Sequence, residues 1–155
     1  MARAAGAHQN IIVQSDPEAE TRVEAIAGAA NITPGELLQW NAGTLIVHAA
    51  AAGSIIPKLI ALESQHPDDE DNASIDVDYA NGDTVYAWIP QPGDHALMWL
   101  AAGQTTAVHD LLVSDAAGAL TVEAGPLDAA DILDSVVGRA LNVVTGLNRV
   151  LVEIA

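Results

Sequence analysis

Short apolar runs, each closed by glycine, proline, asparagine or aspartate, recur along the whole chain. In the C-terminal half they cover Thr84 to Ile89, His95 to Leu100, Asp110 to Val113, Leu120 to Glu123, Val136 to Val144 and Arg149 to Ile154. Between them stand turns such as Pro90-Gln91-Pro92-Gly93-Asp94, Ala101-Ala102-Gly103, Ala116-Ala117-Gly118 and Thr145-Gly146-Leu147-Asn148. Strands separated by turn signals every ~8–12 residues predict a β-sandwich or barrel. In the N-terminal half, Asn10 to Gln14 predicts a strand, and Asp16 to Glu20 a turn with proline near its start. Thr21 to Ala30, carrying Val23, Ile26 and Ala27, fits a strand and a short helix equally well. Pro34-Gly35 turns the chain into a strand through Trp40. Asn41-Ala42-Gly43 closes a hairpin, and Thr44 to His48 returns. Lys58 to Leu62 is a further strand.

Ser74 to Tyr79 alternates Ile75, Val77 and Tyr79 with Asp76 and Asp78, which predicts one more strand. Leu127, Ala130, Ile132 and Leu133 stand near helical spacing and predict a helical turn. No fixed period of ~20–50 residues argues for a solenoid or propeller. The expectation is an all-β fold: a small β-barrel or β-tulip-like sandwich of short strands with one or two short helical turns. A flexible N-terminal arm over 1–9 precedes a single domain over 10–155.

Composition narrows how such a fold is filled. Hydrophobic residues make up 50% of the 155 positions, yet phenylalanine is absent. Alanine, valine, leucine and isoleucine must fill the core, with Trp40, Trp88 and Trp99 as the large anchors. Without cysteine, disulfides and thiolate metal sites are excluded. Five Lys and Arg face 21 Asp and Glu, a formal net charge of −16. Such a surface repels nucleic acid and anionic lipid, so no direct nucleic-acid or membrane partner is expected. It also repels itself, unless salt near molar shortens the screening length to ~3 Å. Abundant acids, one lysine and many small apolar side chains read as a halophile's protein; the alternative is an ordinary acidic mesophilic protein whose charge only maintains solubility. No run reaches the ~18 apolar residues of a membrane span, and the start lacks the apolar stretch of a secretory signal.

The chemistry-bearing residues do not assemble into a reactive motif. The five histidines are never spaced as His-x-His or His-x₃-His. Asp68, Asp69 and Asp71, in the run Asp68-Asp69-Glu70-Asp71, are the weak candidates for a hard cation, but lack the spacing of a calcium loop. A solvated acidic tip is the expectation, with no cofactor. Ser114 and His109 share a segment but stand roughly 17 Å apart if it is extended, and there is no Gly-x-Ser-x-Gly elbow. No enzyme is expected. Trp88 falls on the opposite side of its run from Val85 and Ala87, which points it outward beside Tyr86. Exposed, Trp88 and Trp99 would stack on sugars. As core or interface anchors, they and Trp40 serve the chain without phenylalanine, and that reading is preferred.

Several of these segments stand in a telling order. Pro34-Gly35-Glu36-Leu37-Leu38 and Ile60-Ala61-Leu62-Glu63 are followed by Tyr79-Ala80-Asn81-Gly82-Asp83-Thr84-Val85 and Pro90-Gln91-Pro92-Gly93-Asp94. Then come Leu100-Ala101-Ala102-Gly103-Gln104, Asp110-Leu111-Leu112-Val113-Ser114-Asp115 with Gly118-Ala119-Leu120, Val137-Gly138-Arg139-Ala140-Leu141, and the closing Arg149 to Ile154. The set resembles the head decoration (capsid cement) proteins of HK97-like tailed viruses. The resemblance implies a homotrimer on the outer surface of the virion, assembled in the host cytoplasm and binding the major capsid protein. It also implies an N-terminal arm that reaches a neighbouring subunit. Joined to the acidic composition, it suggests an archaeal tailed virus of a salt-loving host. The alternative is a carbohydrate- or receptor-binding β-domain of a virion surface. The rhythm also looks like lipoyl- or biotinyl-type barrel-sandwich domains, but the turns at Gly82, Gly103 and Gly118 have no lysine to carry a cofactor.

Overall fold

Eleven strands and one 3-10 turn make up the regular structure of the computed structural model, which describes residues 10–29, 31–51, 55, 57–63, 74–125 and 134–155. The strands are β1 (Ile12–Gln14), β2 (Thr21–Ile26), β3 (Leu37–Asn41), β4 (Thr44–Val47), β5 (Leu59–Ala61), β6 (Thr84–Ile89), β7 (His95–Trp99), β8 (Leu111–Ser114), β9 (Leu120–Val122), β10 (Val136–Ala140) and β11 (Arg149–Ile154). All pairings between them are antiparallel. They form a six-stranded sheet, β1-β7-β11-β10-β8-β9, and a five-stranded sheet, β2-β6-β5-β3-β4. The expected all-β sandwich is what the chain forms.

Each sheet curls until its distant strands meet. A parallel bridge between Ala27 and Leu45 joins the end of β2 to β4, and Gly28 N–H donates to Leu45 O at 2.8 Å. A second parallel bridge, Leu100 to Leu120, joins the end of β7 to β9, with Ala101 N–H on Leu120 O at 2.8 Å. Glycine permits the first closure, because a Cβ on Gly28 would stand 2.2 Å from Thr44 Oγ1. It permits a close approach in the other sheet too, where a Cβ on Gly138 would stand 2.2 Å from Glu153 O.

The alternation along the strands feeds two cores. On β3, β5 and β6 consecutive side chains go to opposite sides: Leu37, Ile60 and Trp88 join one cluster, and Leu38, Leu59, Ala61, Val85 and Ala87 the other. The first cluster lies between the sheets and is completed by Ala96, Met98, Leu112, Val150 and Val152. The second is closed by Ala27, Ile32, Leu45 and Tyr79. Tyr79 is buried, which raises its pKa, and its hydroxyl donates to Leu62 O at 3.0 Å. The five-stranded sheet is thus apolar on both sides.

Local readings are resolved or corrected by this arrangement. Thr21 to Ile26 is a strand, paired residue for residue with β6. Ser74 to Asp76 is a 3-10 turn, not the start of a strand. Its burial still alternates, with Ile75 and Tyr79 buried and Asp76 and Asp78 exposed. The run from Val136 stops at Ala140, and residues 141–148 form a loop. The proposed arm over 1–9, the acidic tip with Asp68, Asp69 and Asp71, and the helical turn at Leu127 to Leu133 lie outside the described residues.

Candidate functional site

The three tryptophans have three different fates. Trp88 is wholly buried between the sheets, which overturns its outward orientation and removes it as a stacking face for sugars. Period two fixes which residues share a side of β6, but both sides are covered, so it could not say which was wet. The Trp88 Nε1 has no hydrogen-bond partner among the described residues. Trp40, on β3, is 47% exposed and stands beside a groove of about 320 Å³ lined also by Leu38, Gln39, His48, Ile55, Pro57 and Leu59.

Trp99 is half-buried and belongs to a clasp centred on Arg149. The Arg149 guanidinium carbon sits 4.3 Å from the centroid of the Trp99 ring. Arg149 Nη1 donates to Asp76 Oδ1 at 2.8 Å, and Nη2 donates to Pro34 O at 3.3 Å and to Ile75 O. Trp99 Nε1–H also donates to Pro34 O, at 3.0 Å. One arginine on β11 therefore holds the Pro34 turn and the 3-10 turn against the six-stranded sheet. One face of Trp99 is taken by that cation.

A second tie joins the sheets through polar side chains. His48 Nδ1 and Ser114 Oγ are 2.7 Å apart, and both residues are buried. Ser114, expected in a segment with His109, meets instead a histidine 66 positions away. His109 is exposed, with φ of 76°. Buried in this way, the Ser114 oxygen links β8 to the end of β4. Among the described residues no three His, Asp or Glu side chains are grouped to hold a metal ion.

A cleft of about 430 Å³ opens between Thr33, Glu36, Trp99, Ala102, Asp115 and Leu147, with Leu100 and three further alanines on its wall. Burial pushes the Glu36 carboxyl up to about 7, with Asp78 and Asp115 adding repulsion and the Thr33 N–H on its Oε2 opposing both. Asp115 is itself occupied, its Oδ1 accepting from Ala117 and Ala119 N–H.

Beyond the cleft, two loops lock together. Thr106 N–H donates to Val144 O and Val144 N–H to Thr106 Oγ1, both at 2.9 Å. Thr106 Oγ1 donates to Asn142 O, Gly146 N–H to Gln104 O, and Thr105 bridges Thr145. With the backbone satisfied this way, apolar side chains are left outside: Val108 is 47%, Val143 67% and Leu147 70% exposed. From His95 to His109 and from Ser135 to Val152 the chain contains no aspartate or glutamate.

No family model matches the chain, and no curated protein matches it. Among solved structures it is similar to the head fiber gp8.5 N base in bacteriophage phi29, at 18% identity and a TM-score of 0.56, over 88% of this chain and 94% of that one. The likeness is one of fold.

Sequence reasoning named Trp40, Trp88 and Trp99 as anchors, and the structure brings none of them together in one site. It missed the Arg149 clasp, the His48–Ser114 tie and the two-loop apex. The acid-free runs that make the apex were the one signal present in the sequence.

Proposed function

We propose that this chain is a structural protein of a viral head, a homotrimer on the outer capsid surface that ties neighbouring major capsid proteins together and has no catalytic role. The observation that carries the reading is the fold shared with the base of a phage head fibre over nearly the whole of both chains. The ordered turn motifs from Pro34 to Ile154, which resemble capsid cement, support it by a separate route. The build of the molecule suits a load-bearing shell. Two sheets are tied by an arginine clasp and a buried His–Ser bond. The salt-loving archaeal host rests on the −16 charge and the single lysine.

Cosedimentation with heads tests the reading. The protein is expected to pellet with expanded heads and to stay in the supernatant with procapsids. Equal binding to both, or to neither, overturns the cement role. A melting temperature that climbs steadily with potassium chloride supports the halophilic host, and one indifferent to salt removes it.

A further inference from the structure

We infer that Asn81 is a site of spontaneous chemical modification, an asparagine that deamidates once the turn around it comes away from Ala27. Asn81-Gly82 is the one Asn-Gly pair among the seven asparagines of the chain. The chemistry needs a backbone nitrogen that can attack the side chain just before it. Glycine brings no Cβ to obstruct that approach, whereas Ile, Ala, Val or Arg follows every other asparagine. Asn81 and Gly82 are both exposed, and a Cβ on Gly82 would meet nothing within 4 Å, so the pair is open to water. In the reaction the Gly82 nitrogen bonds to Asn81 Cγ and gives its proton to solvent base. The side-chain amide takes up a proton and departs as ammonia. Water then opens the resulting cyclic imide at either carbonyl. One opening leaves aspartate. The other leaves isoaspartate, whose main chain runs through Cβ and Cγ and is longer by a carbon. Both products carry a carboxylate where a neutral amide stood.

The fold restrains this chemistry by holding the nucleophile. Gly82 N–H donates to Ala27 O at 3.0 Å, and Ala27 N–H donates to Asp83 O at 2.8 Å. Asp83 N–H closes the turn on Ala80 O at 3.1 Å, and Asp83 Oδ2 accepts from Ala80 N–H at 2.8 Å. Gly82 keeps a φ of 92° within it. To reach Asn81 Cγ, the Gly82 nitrogen must give up its bond to Ala27 and the turn must change shape. Ala27 is also the residue that bridges Leu45 at the margin of the five-stranded sheet, beside the tightly packed Gly28. A loosened margin therefore releases the nucleophile. A folded chain reacts only through that local opening, and the opened fraction sets the rate. Isoaspartate then moves Gly82 N–H out of register with Ala27 O, so the turn cannot close again as it was. The reaction leaves a permanent mark on molecules whose sheet margin has opened.

Timed peptide mapping by mass spectrometry tests the site, on the full chain at mildly alkaline pH in buffer and in strong urea. In urea Asn81 is expected to react ahead of the other six asparagines. In buffer it should react at least about tenfold more slowly, because only the opened fraction is competent. Hydrogen exchange at the Gly82 amide should be slowed by a similar factor. Gly28→Ala, which crowds Thr44 at the margin, should speed both exchange and deamidation in molecules that circular dichroism shows to be folded. Wild type in graded urea below its unfolding transition gives the same comparison without a substitution, and there too the two rates should climb together. Equal rates in buffer and strong urea would show that the fold restrains nothing. Another asparagine reacting first in urea would remove Asn81 as the site. Deamidation that stays constant while Gly82 exchange accelerates would overturn the role of Ala27.

Discussion

Arg149 and Leu147 stand two residues apart, and the fold treats them in opposite ways. The arginine side chain is only 14% exposed, while the leucine is 70% exposed. The inversion has a local cause in each case. Arg149 begins β11, where the strand turns it toward the Pro34 and Ile75 carbonyls, the Asp76 carboxylate and the Trp99 ring. Its charge is covered because acceptors are already waiting there. Leu147 sits in a loop whose backbone is spent on the facing loop, so its side chain is left outside. Polarity by itself decides neither position; what decides is which backbone groups lie within reach. The interior of this molecule uses charge to join distant segments, and its exterior presents apolar groups on the two cross-bonded loops.

The largest effect that can break this contrast is at the clasp. Arg149→Ala strands the Pro34 and Ile75 carbonyls and uncovers Trp99, and should cost about 2–4 kcal/mol in urea unfolding. Asp76→Ala removes an acceptor that is half exposed, and should cost under about 1 kcal/mol. Equal losses from the two would show that the ion pair alone matters.

Glu36 gives a smaller effect with a sign that depends on pH. Its carboxyl titrates near 4.5 in the unfolded chain and about 7 in the folded one. The folded state therefore holds the extra proton between those values, and stability falls as pH rises through that window. Glu36→Gln, which keeps an acceptor for Thr33 N–H, should be more stable than wild type by about 1 kcal/mol at about pH 8, after allowance for the solvent that reaches the group. The two proteins should converge below pH 4.5, as read by paired thermal melts. A gap that persists at low pH would place the effect in packing instead of ionisation. Smallest of all, at concentrations where both proteins are monomeric, Val143→Asp/Leu147→Asp should leave unfolding stability within about 0.5 kcal/mol of wild type, because those side chains face water in the single chain. A larger loss would mean that the apex is part of the core.

Most of the strands were legible because turn residues punctuate them. The hairpin at Asn41-Ala42-Gly43 and the strands Thr84 to Ile89 and Arg149 to Ile154 lie where the pattern put them. Ser74 to Tyr79 was misread for an instructive reason. A 3-10 turn followed by a single bridge at Tyr79 buries Ile75 and Tyr79 and exposes the two aspartates, just as a strand would. Alternation reports exposure, and the backbone can deliver it in more than one way. Thr21 to Ala30 was undecidable locally, since only the pairing of Thr21 to Ile26 with β6 makes that part a strand. The site features were hidden by distance along the chain. Arg149 reaches Pro34 across 115 positions and His48 reaches Ser114 across 66, and neither span leaves a trace in local spacing.

The two parallel bridges also bear on how the chain behaves in crowded solution. An open sheet edge is a template on which another chain can add a strand, and crowding favours that error. Here Ala27 against Leu45 and Leu100 against Leu120 tie down the margins of the two sheets, and the remaining outer strand among the described residues, β1, is three residues long. Molecules built this way can stand shoulder to shoulder without recruiting one another into fibres. Their contacts are left to side chains, which can be reversible and specific.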